Sequence, residues 1–161
     1  MSDNGNPKVT SGAISPAPTR NQAEGAEGLR VPITSDRDII IARQRGKELA
    51  ARLGFSTIDL TLIATAISEL SRNIVIYAKT GEIVMKPIRQ AGKKGIQVVA
   101  RDDGPGIPDV SRALEDGFST SRSLGLGLPG VRRLMDAFDV VSKLNHGTMV
   151  TVTKWIIPAG D

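Results

Sequence analysis

Cysteine is absent from the 161 residues, and histidine occurs once, as His146. The first absence excludes a disulfide scaffold, thiolate chemistry, and zinc or iron–sulfur sites built on Cys. The second excludes multi-histidine metal sites and argues against a helix that accepts phosphate on His. Aromatic residues are scarce: Phe55, Tyr77, Phe118, Phe138 and Trp155 are all there are. That is too few for a base-stacking platform. No run approaches the roughly 18 apolar residues that span a bilayer, and the first 30 residues lack the apolar core of a secretory signal. What the chain does have is a 40% apolar content and the length of one ordinary domain. A domain of this size buries about 70% of its unfolded surface, enough for a self-sufficient core. The formal charge of +4 and a pI near 9.7 raise the question of nucleic acid.

Composition divides the chain. Residues 1–29 hold four Gly and three Pro, and their only large aliphatics are Val9, Ile14 and Leu29. So little apolar surface cannot offset the entropy of ordering, so this segment reads as a disordered tail. The ordered domain is expected over residues 30–157, with 158–161 as a C-terminal tail. Residues 30–34 are β-rich, and Pro32 suits an edge strand. Ser35 followed by Asp38 resembles a capping box, and a helix is expected from Asp36 to Leu53, ended by Gly54. Over 57–78, Leu60, Ile63, Ile67, Leu70 and Ile74 recur at helical spacing, which predicts a buried stripe. Residues 82–88 and 96–101 read as strands joined by a basic hairpin. After an Asp-Gly-Pro loop, a short helix is expected at 109–115 and another at 129–137. Strands near 138–144 and 148–157 flank a tight turn at Asn145-His146-Gly147. The order predicts an α/β (α+β) two-layer sandwich with helices on one sheet face.

Four constellations carry candidate chemistry. Glu69 and Asn73 share one helix face, one turn apart. An amide there suits Mg²⁺, which takes few protein ligands, and a carboxylate one turn away suits proton acceptance from a nucleophile. A solvated Glu/Asn pair is the plain alternative. Asp102 ends a strand and is followed by Gly104 and Gly106. This fits a carboxylate receiving an exocyclic amine, with glycines that let backbone approach a flat ring; a tight acidic turn fits equally. Gly125, Gly127 and Gly130 lead into a helix whose N-terminus favours phosphate, with Arg122 in reach of a γ-phosphate; the alternative is a mobile loop. The segment is neither a Walker A loop nor a Rossmann fingerprint. Thr148, after Gly147, suits a hydroxyl near Asp102, although β-propensity explains a Thr there too.

In this order the four resemble the GHKL ATPase/kinase superfamily, with its Bergerat nucleotide fold, mixed sheet and ATP lid. The strings TAISELSRNI, DDGPGIPD, LEDGFSTS and LGLGLPGVRRLMDAF look like RsbT-type serine/threonine switch kinases of bacterial stress signalling. The resemblance implies that Glu69 handles the nucleophile's proton and Asn73 holds Mg²⁺. It implies that Asp102, Gly104 and Gly106 shape the adenine pocket, that Gly125, Gly127 and Gly130 frame the triphosphate, and that Thr148 lies near adenine. It further implies a cytoplasmic enzyme that uses ATP and Mg²⁺ to phosphorylate a STAS-domain antagonist, then activates a downstream phosphatase or other effector, with no DNA or membrane partner. Two alternatives stay open: an anti-sigma kinase of the RsbW type, and a nucleotide-gated sequestering module. The basic residues Lys86, Arg89, Lys93, Lys94 and Arg101 offer either a nucleic-acid contact or a docking face for an acidic protein.

Overall fold

The computed structural model describes residues 28–115 and 127–158. The predicted N-terminal tail therefore falls outside the described residues, except for Gly28 and Leu29. Strand β1 (Leu29–Ile33) leads to helix α1 (Asp36–Leu53) and helix α2 (Thr57–Asn73), which continues as a π turn (Ile74–Ala78). Strands β2 (Gly81–Gln90) and β3 (Lys93–Asp102) follow, then the single-turn helix α3 (Val110–Ala113), helix α4 (Gly127–Leu134), and strands β4 (Ala137–Lys143) and β5 (Gly147–Trp155). The sheet order is β1-β2-β3-β5-β4. The predicted two-layer sandwich with helices on one sheet face is present; the resemblance implied a mixed sheet, and all four pairings among the described strands are antiparallel.

Local chemistry explains the helix boundaries. Ser35 precedes α1 but makes no side-chain cap. Instead the Asp38 carboxylate reaches back, accepting from Thr34 N and Thr34 Oγ1, both at 2.8 Å. At the far end, the Gly54 N–H bonds to the carbonyls of Ala50 and Ala51. Ser56 caps α2 by accepting from Asp59 N at 3.2 Å. The predicted stripe is the buried face of α2: Ile63, Ile67, Leu70 and Ile74 are all inaccessible, and Leu60 is half-buried at its start. Gly46 lets α1 lie close over this face, since a Cβ there would collide with the Ile67 side chain and sit 2.9 Å from Met85 Sδ.

Strand alternation sorts the sheet into two faces. Ile83 and Met85 of β2, Ile96, Val98 and Ala100 of β3, and Val150 and Val152 of β5 face the helices and form the core. The same parity carries on to Asp102 in β3, Thr148 in β5 and Ser142 in β4. Pairing places these three in one row, Asp102 opposite Thr148 and Thr148 opposite Ser142. The core layer thus ends in a polar row at one edge.

The hairpin predicted from 89 to 95 is tighter than expected. The strands run on to Gln90 and Lys93, and Ala91-Gly92 alone makes the turn. The basic residues on this hairpin are divided between faces. Lys86 and Arg101 lie with Arg30 on the open face, around a shallow hollow floored by Val84 and Val99. Arg89 shares the parity of Met85 and belongs to the other face.

Candidate functional site

Where the polar row meets the ends of α2 and α4, a cavity of about 340 Å³ opens. Ile74, Ala100, Ile107, Leu128 and Val150 supply apolar walls; Asn73, Asp102 and Thr148 supply polar groups. An apolar cleft with a few convergent polar groups is the usual form of a small-molecule site. Gly106 and Gly127 also line it, as does Tyr77. Glu69, Gly104 and Gly130 are not among its lining residues. Arg122 and Gly125 lie outside the described residues.

Asp102 stands at the end of β3, where its Oδ1 accepts from Gly104 N at 2.9 Å. Its other oxygen has no partner among the described residues. The two glycines that follow make their close approaches to protein backbone and methyl groups. A Cβ on Gly104 would lie 2.6 Å from Ala78 Cβ, and one on Gly106 would collide with the Lys143 carbonyl. Gly106 also has φ +77, a region L-residues avoid. The loop is therefore clamped between the π turn and the β4–β5 hairpin. The clamp is reciprocal. Asn145 N donates to Pro105 O at 2.9 Å, and Gly147, at φ +89, leaves room for the Asp102 carbonyl where a Cβ would stand.

Thr148 makes its hydrogen bond to Ser142, at 2.8 Å between hydroxyl oxygens, and none to Asp102. Ser142 escaped the sequence reading. The available signal was its parity with Phe138 and Val140, which puts it on the helix-facing side of β4 next to Thr148. The π turn was also missed. It adds a residue to the helix after Asn73 and carries Tyr77 and Ala78 to the cavity; π segments recur at functional sites.

Glu69 is 4% exposed, which excludes a solvated pair. Its Oε1 lies 3.4 Å from Arg72 Nη1, a long contact, and its Oε2 is buried with no partner among the described residues. A buried carboxylate oxygen without a donor is costly unless a ligand or proton serves it. Among the described residues no cluster of three or more acidic or His side chains could hold a metal by itself.

The Histidine kinase-like ATPase domain model matches residues 34–154. The chain belongs to this GHKL family of ATPases, whose fold it carries and whose nucleotide is ATP. The serine/threonine-protein kinase RsbT of Bacillus subtilis (strain 168) is 51% identical over 126 residues, covering 78% of this chain and 95% of that protein. An anti-sigma F factor of Thermoanaerobacter sp. (strain X514) is 33% identical over 113 residues, covering 66% of this chain and 78% of that one. The RsbU and RsbW domains of a Mycobacterium tuberculosis protein share the fold, with a TM-score of 0.55 at 20% identity over 81% of this chain and 34% of that chain. Within the family this is therefore an RsbT-like serine/threonine kinase. No helix among the described residues is long and apolar enough to cross a membrane.

Proposed function

We propose that the chain transfers the γ-phosphoryl group of ATP to a Ser or Thr hydroxyl of a STAS-domain antagonist in a cytoplasmic partner-switching pathway, and that release from that antagonist frees it to activate a downstream phosphatase or other effector. The observation that carries this reading is the cavity. It is lined by an acceptor-rich row, Asp102 and Thr148, and by Asn73, one helical turn beyond a buried carboxylate whose second oxygen has no partner among the described residues.

In this reading Asp102 receives the adenine amino group on its free oxygen, while Gly104 and Gly106 hold the loop that fixes it. Thr148 borders the base. Ile74, Ile107, Leu128 and Val150 exclude water from the ring faces. Asn73 would hold Mg²⁺ by its amide oxygen together with the phosphates, as suits an ion that takes few protein ligands. Such an ion would neutralise charge on the transferring group. Gly125, Gly127 and Gly130, with Arg122, frame the triphosphate. Glu69 accepts the proton of the attacking hydroxyl, and the long Arg72 contact keeps its carboxylate oriented without satisfying both oxygens.

The partner class rests on kinship. Identity of 51% to a serine/threonine kinase against 33% to an anti-sigma factor favours the switch-kinase reading over the anti-sigma one. Incubation with [γ-³²P]ATP and the STAS proteins encoded beside this gene tests it. Label on a Ser or Thr of one of them is expected; no transfer to any of them would remove the proposal.

A further inference from the structure

Ser142 makes three polar contacts, and a hydroxyl has one proton to give. Ile107 N lies 2.7 Å from Ser142 Oγ and can only donate to it. Gly147 O lies at 3.2 Å and can only accept. Thr148 Oγ1, at 2.8 Å, can do either. One assignment serves all three: Ser142 gives its proton to Gly147 O and takes one bond each from Ile107 N–H and the Thr148 hydroxyl. The reverse direction at Thr148 would leave the Gly147 contact without a proton.

The consequence reaches the cavity. With its proton committed to Ser142, Thr148 turns only lone pairs toward the space it lines. Its cross-strand neighbour Asp102 likewise offers a carboxylate oxygen without a partner among the described residues. The polar row then presents acceptors alone. Ser142 also holds, through Ile107, the loop that follows Asp102.

We propose that Ser142 is a positioning residue for nucleobase selection, which fixes the Thr148 hydroxyl as an acceptor and so favours a base bearing an amino group over one bearing a carbonyl at the same position. This rests on the cavity's being the ATP site. A 6-oxo purine would set its carbonyl oxygen against two acceptors, and Thr148 could not turn its proton to meet it.

Calorimetric titration of the full chain with Mg-ATP and with Mg-ITP, its 6-oxo counterpart, tests the proposal. The native protein should prefer ATP. In Ser142→Ala the Thr148 proton is released, so ATP should weaken by about five- to tenfold, the scale of one hydrogen bond, while ITP weakens less. The ATP:ITP preference should therefore fall at least about threefold. A residue serving only to hold the loop would weaken both ligands alike and leave the ratio unchanged. Ser142→Thr, which keeps the hydroxyl, should restore the preference. Thr148→Val reads the same ratio from the other side of the bond, and a fall is expected there too. An unchanged ratio in Ser142→Ala, or in Thr148→Val should the first variant not fold, overturns the proposal, as does Ser142→Thr behaving like the alanine variant. Failure of the underlying reading looks different: the native protein would then bind neither nucleotide, or Asp102→Asn would bind ATP unchanged.

Discussion

Gly147 joins the fold to the site, and replacing it by Ala separates two costs. Its φ of +89 is one that an L-residue occupies at about 1–2 kcal/mol. A Cβ there would also collide with the Asp102 carbonyl oxygen and come within 2.8 Å of Asp102 C and 2.9 Å of Asp103 Cα. Those neighbours are backbone and cannot rotate away, so an overpacking cost of about 1–3 kcal/mol is added. Gly147→Ala should therefore lose about 2–5 kcal/mol. Gly92→Ala is the internal comparison. It has φ +79 and nothing within 4 Å of its would-be Cβ, so it bears only the backbone cost. Equilibrium unfolding in urea, followed by the fluorescence of the single Trp155, measures both. A larger loss at Gly147, by roughly 1–3 kcal/mol, is expected. ATP affinity should fall with it, because the collision displaces the strand end that bears Asp102. Equal losses at the two glycines would refute the clamp between the β4–β5 turn and the Asp102 loop.

Other perturbations bear on separate parts of the molecule. Glu69→Ala should lower phosphoryl transfer by about 10²–10⁴-fold, the scale of losing a general base, while ATP affinity, read by titration, changes far less. Asp102→Asn should weaken ATP by roughly 10- to 100-fold, as expected when a hydrogen bond to a charged group is lost, with little effect on turnover at saturating ATP. The Asp38 carboxyl is held below its ordinary value, first by the Thr34 N–H and then by the Thr34 hydroxyl. Its stabilisation is thus fully present above the ordinary carboxylate value and is lost as pH falls through the lowered folded one. Thermal melts of Asp38→Asn should show a deficit at pH 7 that closes in strong acid.

The sequence foretold most of the secondary structure because the signals were local. The α1 boundaries follow from Asp38 and Gly54, and the α2 stripe from its 3- and 4-residue spacing. The turn at Asn145-His146-Gly147 shows in its positive-φ residues, Asn145 at +60 and Gly147 at +89. What stayed hidden was set by tertiary pairing. Gly104 and Gly106 read as room for a ligand, yet the close neighbours they admit are Ala78 and Lys143. Ser142 carries no motif of its own and gains meaning from the strand register that sets it beside Thr148. Glu69 could equally be read as half of a solvated pair; only packing shows that it is buried, with one oxygen lacking a partner among the described residues. The basic residues near the β2–β3 hairpin form a run in sequence and two faces in space.

Phosphoryl transfer from [γ-³²P]ATP to a STAS-domain protein encoded beside this gene, with native chain and Glu69→Gln compared under identical conditions, tests the central claim most directly. Label on a Ser or Thr of that protein is expected with the native chain, and a loss of about 10²-fold or more with the variant. Equal labelling by the two, or none by the native chain, would contradict it.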